Sequence, residues 1–303
     1  MVIFFAAVAA FLFAAGSVTA KRGMQNTNAV SALLVSSGVA AVFLAIATAF
    51  SIPDSITLKS VLFFVAAGVV GDGVGRFSML GAVDRLGPSI AIPIQTAAYP
   101  LIAVVGGIVV LSESVTPVQL LGAVTVVAGI WVLLFQGSPD ASDAPDASDA
   151  PDSESAPPTA GWLALALPAL AGVAFATSDL LRKTGLDETP NPAFGALVAV
   201  VGMLTLISVG SVVIPTLRRR ISVGPGWSWL VAAGVCFAGG LLAVFEALEQ
   251  GAVSAVGPII AAQPLAIVVL SWALLHNIER ITLRMVIGAV LVVAGVIAIA
   301  VAA

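Results

Sequence analysis

Residues 122–129 read Gly-Ala-Val-Thr-Val-Val-Ala-Gly, and residues 288–295 read Gly-Ala-Val-Leu-Val-Val-Ala-Gly, identical at seven of eight positions. A lone glutamate, Glu113 or Glu279, stands nine residues before each copy. Further upstream lies a Pro-Leu pair, Pro100-Leu101 and Pro264-Leu265, inside a long apolar run. Ordered self-similarity over this distance marks an internal duplication, so the chain reads as two homologous halves.

Composition sets the class. The chain is 60% hydrophobic and only 9% charged, with a mean hydropathy of +1.13, whereas soluble domains carry about 25% charged residues. Its apolar runs are long enough to cross a bilayer core, roughly 20 residues each. They are continuous and do not alternate, which excludes a transmembrane barrel. The expected fold is an all-α integral membrane protein of ten transmembrane helices, arranged as two inverted five-helix repeats. The spans lie near residues 1–20, 29–52, 60–80, 89–111 and 115–136, then 161–181, 193–217, 227–248, 252–275 and 283–303. Residues 1–136 form the first repeat and 161–303 the second. The acidic Asp-Ala-Pro and Ala-Ser-Asp triplets of 137–160 lack apolar residues and read as a disordered linker. The first span resembles a secretory signal, but it has no basic n-region and it aligns internally: Phe13 with Phe175, Lys21 with Lys183, Gly23 with Gly185. It therefore reads as retained.

An odd number of spans per half makes the second half enter the membrane from the opposite side, the inverted-repeat arrangement of many secondary transporters. The formal charge of −4 is a property of the linker, which holds Asp140, Asp143, Asp146, Asp149, Asp152 and Glu154. It carries no message about nucleic acid, which is not an expected partner. Lys21, Arg22, Arg85, Arg218, Arg219, Arg220, Arg280 and Arg284 fall on one side of the membrane, and Lys59, Arg182 and Lys183 on the other. By the positive-inside rule this puts the linker inside and both ends outside. Cys236 and His276 are single residues of their types, which excludes a disulfide framework. They are too few for a zinc or haem site, so no metal or cofactor is expected.

Ionisable side chains inside a span cost about 2.5–3.5 kcal/mol on insertion scales and are functional candidates by default. Asp72 and Arg76 are four apart in the third span, hence on one helix face. They read either as a structural ion pair or as a cavity pair answering to substrate or proton. Gln95 and Tyr99 share a face of the fourth span. Tyr99 precedes Pro100 as Gln263 precedes Pro264, so the halves place polar groups at matching depths, next to a carbonyl that proline leaves free. Asp179 and Glu246, near the ends of their spans, read first as interfacial charges and second as proton-coupling groups beside Asp72. Glu113 and Glu279 read as helix-start markers favoured by the helix dipole, and the duplicated glycines as a packing seam. His276 reads as interfacial, and Arg218–Arg220 as topology-setting charges.

Ten spans in two five-helix halves, each with a proline in its fourth span, a glutamate after it and a glycine-spaced fifth span, resemble the EamA-type ten-helix permeases of the drug/metabolite transporter superfamily. The resemblance covers nearly the whole chain outside 137–160. It implies a secondary carrier that moves small metabolites or drugs across the plasma membrane by alternating access, in one direction or the other. It also implies a cavity lined by the first, third and fourth helices of each half. Its members are drawn with both ends in the cytoplasm, opposite to the charge count, so the orientation stays open. The expected partners are a small-molecule substrate and the lipid bilayer, with a homodimer allowed. Proton-coupled export through Asp72 is the finer expectation. The competing classes are a non-transporting scaffold or receptor and an intramembrane enzyme, for which no catalytic residues stand out.

Overall fold

The computed structural model describes residues 1–24, 27, 29–86, 88–134, 162–213, 226–266, 270 and 283–302. The linker, Arg218–Arg220, His276, Glu279 and Arg280 lie outside them. The described residues are helical and contain no strand. The first half holds α1 (Val2–Gly23), α2 (Ala29–Phe50), α3 (residues 58–86), α4 (Pro88–Val110) and α5 (Pro117–Leu134). The second holds α6 (Trp162–Glu188), α7 (Pro192–Val213), α8 (Trp227–Gln250), α9 (Val253–Ala261) and α10 (Leu283–Ala302). Six of these contain apolar stretches long enough to cross a membrane: α1, α2, α3, α6, α7 and α8. The apolar stretches in the fourth and fifth helices of each half are shorter. Helices α3 and α6 run past the expected spans. Each carries charged residues at its far end, which the hydropathy limit excluded and the helix continues through.

Large apolar side chains face outward in numbers no aqueous surface tolerates. Leu121 and Val124 of α5 and Val290, Val293 and Ile297 of α10 are all exposed. Hydroxyls on the helices donate back to carbonyls one turn earlier: Thr48 to Leu44, Thr125 to Leu121 and Thr205 to Val201, each at 2.8 Å. This satisfies them without water.

Glycines let the helices interlock across the two halves. In α5 and α10 the duplicated octapeptides cross antiparallel. A Cβ at Gly122 would lie 2.8 Å from the Gly295 carbonyl oxygen, and one at Gly129 2.9 Å from that of Gly288. Only glycine permits so close a backbone approach. The first and third helices are exchanged in the same way. Phe13 of α1 covers Gly240 of α8, and Phe175 of α6 covers Gly75 of α3. Gly68 of α3 presses on the Ala199 carbonyl of α7, while Gly234 of α8 presses on the Ser36 carbonyl of α2.

Helix α3 is not a regular α-helix. Residues Leu58–Ala67 and Arg76–Leu86 are α-helical, but Gly68–Gly75 between them is π-helical. The wider π turn buries Gly71, Asp72, Gly73 and Gly75 together. Such segments are rare and concentrate at functional sites. Helix α9 breaks at Ala262 (ψ 0°), whose N–H reaches Ile259 O at 3.1 Å. Pro264 has no N–H to continue the ladder and disfavours the α conformation at Gln263.

Glu113 marks a helix start, but not that of the helix following it. Its carboxylate crosses to the other half and accepts from Val253 N at 2.7 Å and Ser254 N at 3.0 Å. It thus caps α9, whose orphan N–H groups and dipole favour an anion there.

Substituting Gly68 by Ala should lower thermal stability in detergent by about 1–3 kcal/mol, because the added methyl collides with backbone and the helices must part. Gly38→Ala, where nothing lies within 4 Å of the new Cβ, should leave stability unchanged or raise it.

Candidate functional site: a buried ion chain across the two halves

The π turn of α3 points Asp72 at two guanidinium groups. On its own helix, Arg76 places Nη2 3.1 Å and Nε 3.2 Å from Asp72 Oδ1. From the other half, Arg182 of α6 donates through Nη2 to Asp72 Oδ2 at 3.2 Å and through Nη1 to Asp179 Oδ1 at 2.8 Å. Tyr99 of α4 closes the chain, its hydroxyl donating to Asp179 Oδ2 at 2.6 Å. Arg76, Asp72, Arg182, Asp179 and Tyr99 thus form one alternating series that crosses the seam twice.

Burial makes the series expensive to disturb. Asp72 is 6% exposed, Asp179 3% and Arg182 7%. In so dry a setting a charge persists only when paired and hydrogen-bonded. Both oxygens of each aspartate accept hydrogen bonds, the arrangement an ionised carboxylate needs. Helix α8 backs both arginines with aromatic rings. The Arg76 guanidinium lies 5.1 Å over Phe237, and that of Arg182 5.6 Å over Phe245, within cation–π range. Arg182 Nε is buried and has no hydrogen-bond partner among the described residues.

Arg76 is the open end. Its side chain is 26% exposed, and with Asp72 it lines a cavity of about 20 Å³ together with Ser37, Ala40, Val200, Met203, Phe237 and Leu241. That is room for about one water. The lining draws on α2 and α3 from the first half and α7 and α8 from the second, so the cavity sits in the seam.

The sequence candidates separate on this geometry. Asp72 and Arg76 pair within α3, and Tyr99 joins them only through Asp179 and Arg182. Gln95, one turn before Tyr99, is half-buried and outside the hydrogen-bonded series. Gln263 reaches Ser17 of α1 instead, at a long 3.5 Å. Glu246 is half-buried near the end of α8, where it meets Gln250 at 3.5 Å, also outside the series. The interfacial reading of Asp179 fails. Helix α6 continues to Glu188, so Asp179 lies well inside it and is buried. Arg182 is likewise no loop charge, and it drops out of the positive-inside count.

Arg182, Phe237 and Phe245 were not singled out from sequence. The signal for Arg182 was its i, i+3 spacing from Asp179 in an otherwise apolar helix, the same kind of spacing that exposed Asp72 and Arg76. The two phenylalanines gave none, because aromatic residues in apolar helices are ordinary. The internal register that matches Phe13 with Phe175 sets Ser17 at the position of Asp179, and the proline register sets Gln263 at that of Tyr99. The two contacts, Tyr99 with Asp179 and Gln263 with Ser17, are therefore counterparts. One is a hydrogen bond to a charged carboxylate and the other joins two neutral groups.

Replacing Arg182 by Gln should destabilise the protein by about 3–5 kcal/mol, because it leaves buried Asp179 without a cation and Asp72 with Arg76 alone. Tyr99→Phe should cost less, about 1.5–3 kcal/mol for one hydrogen bond to a charged group. Thermal unfolding in detergent at neutral pH measures both.

Comparison with known proteins agrees with this architecture. The family model described as the EamA-like transporter family matches residues 1–135 and 162–301. A solved crystal structure is similar over 100% of this chain and 99% of its own, with a TM-score of 0.75 and 14% sequence identity; at that identity the likeness concerns the fold. No curated protein matches. With nearly all of the sequence outside the linker matched in two segments, the chain belongs to the EamA-like transporter family and is a multi-pass membrane protein of the drug/metabolite transporter type.

Proposed function

We propose that the protein is a secondary carrier of small organic solutes, working by alternating access between two inverted five-helix halves. The observation that carries the reading is the Asp72–Arg182 pair. It joins α3 of one half to α6 of the other, beside a cavity, at the seam where rocking halves must part. A passive bundle has no need to place four charges there, three of them buried, since apolar packing of equal volume is as stable or more so. The antiparallel crossing of α5 with α10 supports the inversion, as does the exchange of first and third helices, because each contact has a counterpart with the halves swapped. Inverted halves place the solute site near the midplane between them, and Asp72 stands midway along α3.

The water-sized cavity suits a closed conformation, with solute entering only after the halves separate on one side. Ten crossings follow if α4, α5, α9 and α10 span together with the six longer helices. Proton coupling belongs to Asp72 in this reading. It is the one carboxylate that both lines the cavity and bridges the halves. Asp179 is a weaker candidate, held behind Arg182, and Glu246 the weakest, outside the chain. The cell membrane is the location such a carrier fits.

In proteoliposomes, the wild-type protein should accumulate a solute when a pH gradient is imposed, and Asp72→Asn should lose that accumulation. Equal gradient-driven uptake by both would remove Asp72 as the coupling group. Absence of any solute flux across a broad metabolite panel would sink the carrier reading itself. Cys236 of α8, half-buried and one residue before Phe237 in the chain, should also lose reactivity toward thiol reagents when a transported solute binds.

A further inference from the structure

The charges around the cavity limit what it can hold. Asp72 and Asp179 balance Arg76 and Arg182, so the buried set is neutral. Among the described residues no other titratable group faces Asp72. Its own helix offers Arg76; α6 offers Arg182, with Asp179 and the Tyr99 hydroxyl behind it. The rest of the cavity wall, from α2, α7 and α8, is Ser37, Ala40, Val200, Met203, Phe237 and Leu241. A cationic solute would find no carboxylate free of an arginine, and its charge would stand uncompensated in a low-dielectric site.

An anion meets different conditions. Arg76 commits Nε and Nη2 to a single oxygen of Asp72, and no described residue takes a hydrogen bond from its Nη1. It is the less buried of the two arginines, and it faces the cavity above the Phe237 ring. A planar carboxylate matches a guanidinium fork in a way a single shared oxygen does not. The cavity as it stands holds about one water, so a carboxylate enters only as the halves part, with Val200, Met203 and Leu241 providing an apolar wall for its compact body.

We infer that this site anchors the carboxylate of a small organic monoanion, which displaces Asp72 from Arg76 and enters together with one proton. The inference rests on the carrier reading and specifies its substrate class. Charge is conserved at each stage. The incoming carboxylate pairs with Arg76. Asp72 keeps Arg182 through Oδ2 and takes a proton from the aqueous phase on its freed Oδ1. The set, with solute and proton added, is again neutral. The moving unit thus crosses without net charge, and Asp72 can reform its bridge to Arg76 only after solute and proton have both left.

The test uses the full-length protein in detergent, where permeation of weak acids across a bilayer plays no part. Butyrate, phenylacetate and indoleacetate serve as probes, each beside its amide and its amine. At least one carboxylate should raise the unfolding temperature, with its amide and amine inactive. In weakly buffered solution containing a pH dye, its binding should take up about one proton per molecule. Arg76→Gln should lose the stabilisation and the proton uptake. Asp72→Asn should bind the carboxylate without proton uptake. Should either variant fail to fold, Phe237→Ala, which removes the ring beneath Arg76 without touching a charge, should weaken the carboxylate effect at least several-fold. Stabilisation by amines or amides equal to that by acids would overturn the inference. So would binding without proton uptake in the wild type, or no carboxylate binding at all. The carrier reading is judged separately by solute flux in proteoliposomes and survives any of these results.

Discussion

A single carboxylate shared by two guanidinium groups from opposite halves holds the centre of this protein. Asp72 reaches Arg76 through one oxygen and Arg182 through the other. In water such contacts would contribute little. Within a membrane-spanning bundle they are obligatory, because Asp72, Asp179 and Arg182 are buried away from water and only Arg76 is partly open. Much of the local architecture serves this geometry. The π turn widens α3 where Asp72 must turn toward the seam, the glycines around it let α6 and α7 approach, and α8 supplies an aromatic ring beneath each arginine. Breaking one link leaves a charge that must find a new partner or a proton, so links in this chain are exchanged and not simply lost. That property suits a device with two discrete states.

The scaffold is duplicated, but the chemistry is not. Helix exchange, glycine contacts and the fifth-helix seam all recur in both halves, since they concern backbone packing that any copy of the fold must solve. The polar fixtures diverged. Where one half brings Tyr99 to Asp179, the counterpart brings Gln263 to Ser17 at the limit of a hydrogen bond. A neutral contact of that kind costs less to break than a hydrogen bond to a charged carboxylate. Glu113 adds a further tie, fastening the loop after α4 to the start of α9 through two backbone N–H groups.

Several site residues could be read from the chain because their partners are local. Asp72 and Arg76 are one helical turn apart, so their pairing needs only helix geometry. The prolines of α4 and α9 announce interrupted hydrogen bonding, and α9 does break, at Ala262. Asp179 was misjudged for a definite reason. Charged residues at 179, 182 and 183 resemble the end of a span, and hydropathy has no means of telling a charge that leaves the membrane from one that is neutralised inside it. Gln95 and Glu246 illustrate the converse, being polar residues in apolar helices that stay outside the ion chain.

Composition, run length and an internal echo are properties of the string of residues, so the sequence alone determined the membrane class, the helical content and the doubling. Helix faces follow from the period of the helix, which placed Asp72 with Arg76. Only the tertiary structure decided that Arg182 answers Asp72 across 110 residues, Tyr99 answers Asp179 across 80, and Glu113 caps a helix 140 residues away. Those meetings depend on the register between helices. Register is set by the combined fit of many glycines and small side chains against distant backbone, a quantity no single stretch of sequence contains.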